Sequence, residues 1–436
     1  MRCSFGVALN NPSLPRGLRF FLLDALKVIM AKESPVVLVL NPGSSTLKYA
    51  MYRHRASSGL EQLVAETMEW QLRTHGAADD SIDTQCVDRT IAGLIANQHP
   101  GNSLDNSNPV LRELGIDVVA TRVVHGGSLF TKPTRVSSEM LRELEGTIHL
   151  APLHQPPAIA TMRGAMAAIP EALHVACFDT AFHATLRDVE RRFAIPEAQY
   201  RNGVRRYGFH GLSYESIAQC LPGISSRGAS GRTVVCHLGN GASVCGMLAL
   251  ESRTTTMGFT PLDGLIMGTR SGRIDPGILI HWMRQSMGPE QIETLLTKES
   301  GLLGLSGTSS DMRRIVDALS TDERCELALD MFCRSVAKEI AGAATALGGI
   351  DAIVFTAGIG EHCAIARSRI VGYLEWIGAK IDESLNDQNS VRLHRPDSTI
   401  EILCIPTDEQ KILAENGLRL LQTMRLLPTN RMDLEP

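Results

Sequence analysis

Three glycine-rich turns could hold a phosphate group, because the backbone N–H groups of such turns are free to face an anion. They cover residues 41–48 (NPGSSTLK), 239–243 (GNGAS) and 358–361 (GIGE). The third would open a helix, and a helix N-terminus attracts anions. The first lacks the spacing of a Walker P-loop and precedes an alternating strand, so an ordinary β-hairpin is its alternative interpretation. Together the three turns favour a nucleotide or another phosphate-bearing ligand.

Two arginines lie beside glycines, Arg122 in RVVHGG and Arg270 in MGTRSG. Arginine binds carboxylate or phosphate through two parallel hydrogen bonds, and a neighbouring glycine lets the backbone approach the ligand. Other candidates for chemistry are four histidines and two carboxylates: His154, His183, His210, His237, Asp179 and Glu409. Each alone also has a purely structural interpretation, as an ion pair, a buried hydrogen-bonded histidine, a strand end or a helix first turn.

The elements that must position these residues follow an α/β pattern after residue 35. Residues 36–52 and 233–248 resemble each other, and aligning Gly43 with Gly241 gives an offset of 198 residues. A duplicated domain would explain the offset, and chance similarity of two short hairpins is the alternative. Further along, the pattern predicts a helix over 324–347, a strand over 350–356 and a helix over 409–424. A capping box of Thr407 and Gln410 would begin the last helix.

Composition limits the function classes. The 436 residues are 44% hydrophobic, which suits two or three domains. The 43 Lys and Arg against 47 Asp and Glu provide no basic footprint for nucleic acid and no acidic tail. Ten cysteines without zinc spacing are expected to be reduced thiols of a cytoplasmic protein. No uninterrupted apolar run reaches the roughly 18 residues of a membrane span, so we expect no membrane partner.

The first 34 residues are expected to be an extension. Their basic residues and the apolar patch FFLLDAL would fit a weak targeting peptide. A translation start at Met30, directly before the first strand, is the other interpretation.

Ten segments, taken in order, resemble the acetate kinases, a family of the superfamily of actin-like and sugar kinases. They are NPGSSTLKY, RVVHGG, LAPLHQPP, CFDTAFH, RRYGFHG, CHLGNGAS, TMGFTPLDGLIMGTRSG, SGLLGLSGTSSDMR, FTAGIGE and PTDEQ. The resemblance implies two RNase-H-like (actin-like ATPase) α/β domains flanking a nucleotide cleft. Residues 35–182 with 411–425 would form the N-terminal domain, and 183–410 the nucleotide-binding and dimerisation domain. Residues 426–436 would be a tail.

The resemblance also implies a role for each candidate residue. Catalysis would fall to Asp179, His210, Arg270 and Arg122, and Mg²⁺ or Mn²⁺ would be bound by Asn41 and Glu409. The acyl substrate would contact Arg122, Val124, Leu153, Phe209 and Pro261. The hairpin residues Ser44 and Thr46 would approach the phosphoryl group. ATP would be bound by Lys48, His237, Leu238, Gly239, Asn240, Gly241, Asp311, Met312, Arg313, Gly358, Ile359, Gly360 and His362.

The implied reaction is reversible in-line transfer of the γ-phosphoryl group of ATP to acetate, giving acetyl phosphate and ADP, in a homodimer. Propionate kinases tend to carry a smaller residue at the position of Val124, so valine favours acetate, although one methylene discriminates only weakly. The alternatives are a propionate or butyrate kinase and, from another class, an actin-like ATPase that acts on a protein partner.

The sequence departs from the usual family pattern at five positions that are not among the implied catalytic residues. These are Gln155 (usually Asn), Tyr214 (usually His), Thr254 (usually Asp), Arg273 (usually Asp) and His362 (usually Asn). The departures bear on nucleotide affinity, local electrostatics and pH dependence more than on the reaction itself.

Overall fold

The computed structural model describes residues 34–43, 46–69, 115–152 and 154–426. Four predicted features lie outside these ranges: the extension up to residue 33, Ser44, Leu153 and the tail beyond residue 426. Within the described residues, no helix is both long enough and apolar enough to cross a membrane.

The described residues form two sheets, flanked by helices. The strands are β1 (Val36–Pro42), β2 (Thr46–Arg55), β3 (Gly59–Glu69), β4 (Val118–Val123), β5 (Thr134–Arg135), β6 (Leu173–Phe178), β7 (Arg232–Leu238), β8 (Ala242–Leu248), β9 (Glu251–Thr255), β10 (Ala352–Thr356) and β11 (Glu401–Cys404). The α-helices are α1 (Ser138–Glu145), α2 (Gln155–Ala168), α3 (Asp188–Arg191), α4 (Glu197–Arg201), α5 (Gly211–Ile224), α6 (Ser226–Ser230), α7 (Pro276–Arg284), α8 (Pro289–Lys298), α9 (Gly301–Ser306), α10 (Met312–Asp317), α11 (Glu323–Leu347), α12 (Ala357–His362), α13 (Ala364–Gly372), α14 (Glu383–Asp387) and α15 (Glu409–Leu426). Three short 3₁₀ helices cover Ile148–Leu150, Ala181–Thr185 and Glu375–Ile377.

Five strands of the first sheet have the same order as the five strands of the second, and β5 is an additional edge strand of the first; this α/β arrangement agrees with the predicted fold class. The first runs β3-β2-β1-β4-β6-β5 and the second β9-β8-β7-β10-β11. Strands β1, β2 and β3 form an antiparallel meander, and β4 pairs in parallel with β1. In the second sheet β7, β8 and β9 form the meander, and β10 pairs in parallel with β7. Two copies of one topology agree with a duplicated α/β unit.

The repeated hairpin is present, but the sequence alignment placed it two residues away from its structural register. Strand β1 ends at Pro42 and β7 at Leu238, while β2 begins at Thr46 and β8 at Ala242, a separation of 196 residues at both ends of the turn. Gly43 therefore corresponds to Gly239. The offset of 198 was wrong because the second turn carries two glycines and the sequence match selected the other one.

Compactness divides the chain into two units. Of the described residues, those up to 121, 160–175 and 413–426 form the first unit, and those within 122–159 and 176–412 form the second. Each unit contains its own apolar core. The domain boundaries expected after residues 182 and 410 remain a prediction.

The long helix of the second unit forms where the 3.6-residue apolar spacing predicts it. Helix α11 begins after Asp322, whose side chain accepts a hydrogen bond from the Arg324 N–H, and ends at Gly348 in a left-handed conformation. Its buried face includes Phe332, Val336 and Ile340 and packs in the larger core of this unit. The strand and the helix predicted after it are also confirmed, as β10 and α15.

The predicted capping box of α15 is wrong. The side chain of Asp408, not that of Thr407, accepts the hydrogen bond from the Lys411 N–H, at 2.9 Å. The Thr407 hydroxyl is buried and has no hydrogen-bond partner within the described residues. An aspartate caps a helix at least as well as a threonine, so the adjacent residue took the role.

Candidate active site

Arg122, Asp179 and Glu409 meet in the second unit. Arg122 lies in β4, Asp179 directly follows β6, and Glu409 begins α15. The Asp179 carboxylate accepts hydrogen bonds from Arg122 Nε at 2.9 Å and Nη2 at 2.7 Å. Glu409 Oε2 lies 3.7 Å from Arg122 Nη1. The structure thus brings together one predicted metal ligand and two predicted catalytic residues around a single guanidinium group.

The protonation of this cluster follows from burial and mutual charge. Burial raises the pKa of the Asp179 carboxyl, and the charge of Glu409 adds to the rise, while Arg122 opposes it. Burial by itself would lower the pKa of Arg122, but the two carboxylates raise it above its usual range. Arg122 therefore stays charged, with two anionic groups beside it.

His210 and His237 form a stacked pair in the same unit. Their ring centroids are 4.1 Å apart, and the His237 Nδ1 lies 2.7 Å from the Ser213 hydroxyl. Burial lowers the pKa of both rings, that of His237 to about 4, and nearby Arg122 lowers both further. Both imidazoles are therefore neutral at pH 7, which suits hydrogen bonding rather than ion pairing.

The backbone holds His210 in a conformation that few side chains adopt. Its φ of 58° lies in the left-handed region, directly before α5. The next residue, Gly211, donates its N–H to the Asp179 carbonyl oxygen at 2.9 Å, and a Cβ at Gly211 would lie only 2.2 Å from that oxygen. Only glycine fits there. The contact fixes the backbone of two predicted catalytic residues relative to each other.

Arg270 lies in a loop that is held by the start of α9. Leu302 N–H donates to the Met267 carbonyl at 2.8 Å, and the Arg270 Nη1 donates to the Pro261 carbonyl at 3.1 Å. Gly301 has a φ of 62°, and a Cβ there would lie 2.2 Å from the Met267 oxygen. The glycine in SGLLGLSG thus permits the close backbone approach that positions this arginine.

Gly241 marks the point where His210 and Arg270 come together. A Cβ added at Gly241 would lie 3.3 Å from His210 Nε2 and 3.7 Å from Arg270 Nη1. The absence of a side chain in the turn between β7 and β8 therefore leaves space beside a neutral imidazole and a cationic guanidinium. Such a space suits an oxyanion of a phosphoryl group.

Three of the residues predicted to contact the acyl substrate, Val124, Phe209 and Pro261, lie in the described part of the second unit. Val124 is 9% exposed and Phe209 1% exposed, and both belong to the larger core of the second unit. Pro261 is the residue whose carbonyl accepts from Arg270. These surroundings are apolar and close-packed, as a small acyl group would require.

The predicted nucleotide residues fall into two groups. In the second unit, Leu238 and Met312 are buried in the core, whereas the side chains of Arg313 and His362 are 88% and 75% exposed. Asp311 caps α10 and binds the neighbouring Arg313. In the first unit, Asn41 stands opposite Lys48 in the β1–β2 register. Their roles in binding ATP remain a prediction.

Three supporting residues were not singled out from the sequence. Ser213 bonds to His237. Glu361 Oε1 accepts from the N–H groups of Ala357 and Thr407, at 2.8 and 3.2 Å, and so links the start of α12 to the segment before Glu409. The fully buried Arg367 donates to the Gly360 carbonyl at 2.9 Å. Only a polar residue within an apolar helical pattern could have signalled Arg367. Glu361 ends the GIGE turn named above, although no role was predicted for its side chain, and Ser213 gave no signal.

The carboxylates of this site are the side chains that could bind a divalent cation. Within the described residues, no group of three or more His, Cys, Asp or Glu side chains converges on one point. Mg²⁺ needs no such group, since it usually binds one or two carboxylates together with water and substrate phosphates. Asp179 and Glu409, on either side of one guanidinium, provide the donor chemistry for this ion.

Comparison with known proteins identifies relatives along almost the whole chain. The model of the Acetokinase family matches residues 36–415. The protein named acetate kinase of Rhodopseudomonas palustris strain TIE-1 is 42% identical over 401 residues, covering 89% of this chain and 98% of that protein.

Solved structures give the same result for the fold. A propionate kinase from Francisella tularensis has a TM-score of 0.78 at 32% identity, covering 88% of this chain and 99% of its own. The acetate kinase of Porphyromonas gingivalis has a TM-score of 0.75 at 31% identity, covering 89% of this chain and 100% of its own.

Proposed function

The chain belongs to the acetokinase family and is a phosphotransferase of the kinase class that uses ATP; from this premise we propose that it transfers the γ-phosphoryl group of ATP to acetate, in line and reversibly. The products are acetyl phosphate and ADP. The observation that carries the proposal is the convergence of His210 Nε2 and Arg270 Nη1 beside Gly241. The proposed catalytic residues are Arg122, Asp179, His210 and Arg270.

The acceptor needs charge neutralisation rather than a general base. A carboxylic acid has a reference pKa near 4, so acetate is already ionised at pH 7. An anion must then approach an anionic phosphoryl group. The charged Arg122 and Arg270 reduce the repulsion, and the neutral His210 donates a hydrogen bond to the transferring group.

Asp179 acts on Arg122. Its two oxygens hold the guanidinium plane, which keeps the remaining Nη1 group directed toward Glu409. A guanidinium fixed before substrate binds does not have to reorganise as the transition state forms. Asp179 thereby makes the arginine a preorganised cation.

Mg²⁺, or Mn²⁺ in its place, is the proposed metal. Glu409 and Asp179 are the carboxylates that would hold it, and Asn41 stays a predicted ligand. When bound, the ion neutralises phosphate charge during transfer.

Acetate is the proposed acyl substrate. Val124 and Phe209 are almost fully buried in the core and have little freedom to move aside for a longer chain. One extra methylene in an apolar pocket costs roughly 1 to 3 kcal/mol, so propionate should react with a lower specificity constant and still be turned over. Comparing kcat/KM for acetate, propionate and butyrate tests this preference.

The reaction is tested by trapping the acyl phosphate with hydroxylamine in the presence of ATP, Mg²⁺ and acetate. Acetohydroxamate is the expected product. ATP hydrolysis independent of acetate would instead favour an actin-like ATPase, and such an activity would survive Arg270→Ala. With ATP chiral at the γ-phosphorus, inversion supports direct transfer, and net retention would contradict it.

We further propose a homodimer that uses helix α7. Its sequence, PGILIHWMR, is largely apolar, yet none of its nine residues is buried. Ile280 and Met283 are 51% and 55% exposed. An exposed apolar helix marks an interaction surface, and a second copy of the chain is the expected partner. Sedimentation should give a dimer for the wild type and a monomer for Ile280→Asp combined with Met283→Asp.

The enzyme is expected to act in the cytoplasm, with no membrane or nucleic-acid partner. The eight cysteines in the described part of the chain form no disulfide with one another. Free thiols persist where the compartment is reducing.

A further inference from the structure

Tyr214 stands where the resemblance described above implies a histidine, and its hydroxyl hydrogen-bonds toward the candidate active site. The side chain lies in α5 and is fully buried among Ile217, Leu221 and neighbouring core residues. Its hydroxyl hydrogen-bonds to the Ser243 hydroxyl. The Ser243 oxygen lies 2.9 Å from His210 Nδ1. Tyr214, Ser243 and His210 thus form one continuous hydrogen-bonded chain, referred to below as the tyrosine chain.

The direction of the protons along the tyrosine chain is fixed by what each atom contacts. In the described part of the chain, the Tyr214 hydroxyl has a single hydrogen-bond partner, the Ser243 oxygen. A buried O–H that donates to nothing costs free energy, so Tyr214 donates to Ser243. Ser243 has one hydroxyl proton, and the remaining acceptor beside it is His210 Nδ1. Nδ1 therefore accepts, and the ring proton of the neutral imidazole lies on Nε2.

We propose that Tyr214 is a positioning residue that fixes the tautomer of His210, with the proton on Nε2, through Ser243. The inference rests on the proposed function and assigns a chemical state to one of its residues. Nε2 is the atom that lies beside the open side of Gly241, near Arg270. With the proton on Nε2, this atom donates to an oxygen of the transferring phosphoryl group. With the proton on Nδ1, the same atom would present a lone pair and repel that oxygen.

The rest of the site supports a neutral, fixed ring. The His237 ring stacks on His210, and the nearby Arg122 and Arg270 disfavour a positive imidazole. Neutral imidazole has two tautomers, and only the bonding partner of Nδ1 decides between them here. A tyrosine can donate from its hydroxyl and has no tautomers of its own. The hydrogen bonds of the tyrosine chain therefore run in one direction, from Tyr214 through Ser243 to His210.

The test compares Tyr214→Phe with the wild-type enzyme. Phenylalanine keeps the ring and removes the donor, which frees Ser243 to accept from Nδ1. Two-bond ¹H–¹⁵N correlation spectra of ¹⁵N-histidine-labelled protein report the tautomer directly, and His210→Gln identifies the signals of His210. We expect the wild type to show the proton on Nε2 alone, and Tyr214→Phe to show a mixture or the Nδ1 form. An unchanged tautomer in Tyr214→Phe would overturn the proposal.

Kinetics add an independent readout. In Tyr214→Phe, kcat should fall about tenfold, as expected for losing the donor in part of the molecules, with KM for ATP and acetate within about twofold. A loss of kcat in Tyr214→Phe with no change in the His210 tautomer would indicate a packing role and contradict the proposal.

A second variant keeps the test decisive if Tyr214→Phe folds poorly. Ser243→Ala removes the donor to Nδ1 at a small, fully buried position and should also change the His210 tautomer. The spectra do not depend on turnover. If the wild type formed no acetyl phosphate, the proposed function would fail while the tautomer assignment remained measurable.

Discussion

Asp179 holds the Arg122 guanidinium through both of its carboxylate oxygens, at 2.9 and 2.7 Å, and the aspartate side chain is almost fully buried. A buried pair with this geometry aligns its members strongly, whereas its net contribution to stability is small after desolvation. The third member, Glu409, has its Oε2 3.7 Å from Arg122 Nη1, the guanidinium nitrogen that does not bond to Asp179. The main effect of the Asp179–Arg122 pair is therefore to orient the Arg122 guanidinium toward an incoming anion.

Asp179→Asn tests whether the negative charge of Asp179 is needed to hold the Arg122 guanidinium in place. The amide keeps the size of the side chain and one acceptor oxygen but removes the negative charge that holds Arg122. We expect kcat to fall about a hundredfold or more, as when one preorganised electrostatic contact is lost, with a loss of unfolding free energy of about 1 to 3 kcal/mol. Steady-state kinetics and urea unfolding measure the two effects.

Asp397→Asn is the matched control for this prediction. Asp397 forms ion pairs with Lys380 and Arg395 on the surface, where its side chain is 48% exposed. Exposed pairs contribute about 0 to 1 kcal/mol, so both activity and stability should change little. A similar loss of activity in both variants would contradict the role given to Asp179.

Gly241→Ala should fill the space beside His210 and Arg270. The new methyl group would lie 3.3 Å from His210 Nε2, which is tight enough to displace the ring slightly or occupy the room for a phosphoryl oxygen. We expect kcat/KM for ATP to fall ten- to a hundredfold, since small misplacements of reacting groups are costly. The unfolding free energy should change by less than about 1 kcal/mol, because this glycine needs no left-handed backbone.

The control for Gly241→Ala is Gly342→Ala in α11. A Cβ at Gly342 meets no atom within 4 Å. Alanine in a helix interior should stabilise the protein by roughly 0.5 to 1 kcal/mol and leave the kinetics unchanged. Full activity in Gly241→Ala would show that the space beside His210 is not used.

The sequence predicted the elements with strong periodicity and missed the choices between neighbouring residues. The apolar spacing along α11 fixes a helix face, so its bounds agree with the prediction to within one residue. The cap of α15 fell to Asp408 instead of Thr407 because both side chains can cap and only the local backbone decides. The hairpin offset failed for the same reason, since either glycine of GNGAS could match Gly43.

The candidate site was predictable residue by residue but not as a network. Motifs gave Arg122 and Asp179, yet no pattern in the sequence places Ser243 between Tyr214 and His210. Such contacts join residues about 30 positions apart through strand register and helix rotation. Strand register and helix rotation result from tertiary packing, which the local periodicity of a sequence does not predict.

Arg273→Asp should have little effect on catalysis. Arg273 lies three residues after Arg270, and its side chain is 58% exposed. Its Nη1 is 3.0 Å from Glu339 Oε1, and its Nε is 3.9 Å from Asp263 Oδ1. We expect turnover within about tenfold of the wild type, because solvent screens a charge at this exposure. The unfolding free energy should fall by about 1 kcal/mol, since three carboxylates would then face each other.

Arg273→Ala separates the two parts of that effect. It removes the ion pairs without adding repulsion and should be more stable than Arg273→Asp at low salt. The difference between the two variants should shrink at about 1 M salt, where the Debye length is about 3 Å. A thousandfold loss of turnover in Arg273→Asp would contradict the prediction.

Acid should destabilise the protein through buried histidines, of which His183 is the clearest. Its Nε2 donates to the Phe209 carbonyl at 2.9 Å and its Nδ1 accepts from Ser252 at 2.8 Å, so both nitrogens are used in the neutral form. Burial lowers the pKa of His183 to about 4, well below its ordinary value of 6.5. Between pH 6.5 and about 4, His183 is therefore protonated in the unfolded chain and neutral in the native state.

The sign of the effect follows from that difference. The contribution of His183 is fully present above pH 6.5 and is lost as the pH falls toward 4, by up to roughly 1.4 kcal/mol per pH unit. His183→Gln should lower the unfolding free energy at every pH. It should also reduce the slope of unfolding free energy against pH between pH 6.5 and 4.5 by the amount that corresponds to about one proton. Urea unfolding of the wild type and of His183→Gln across this pH range measures the two slopes, and equal slopes would refute the assignment.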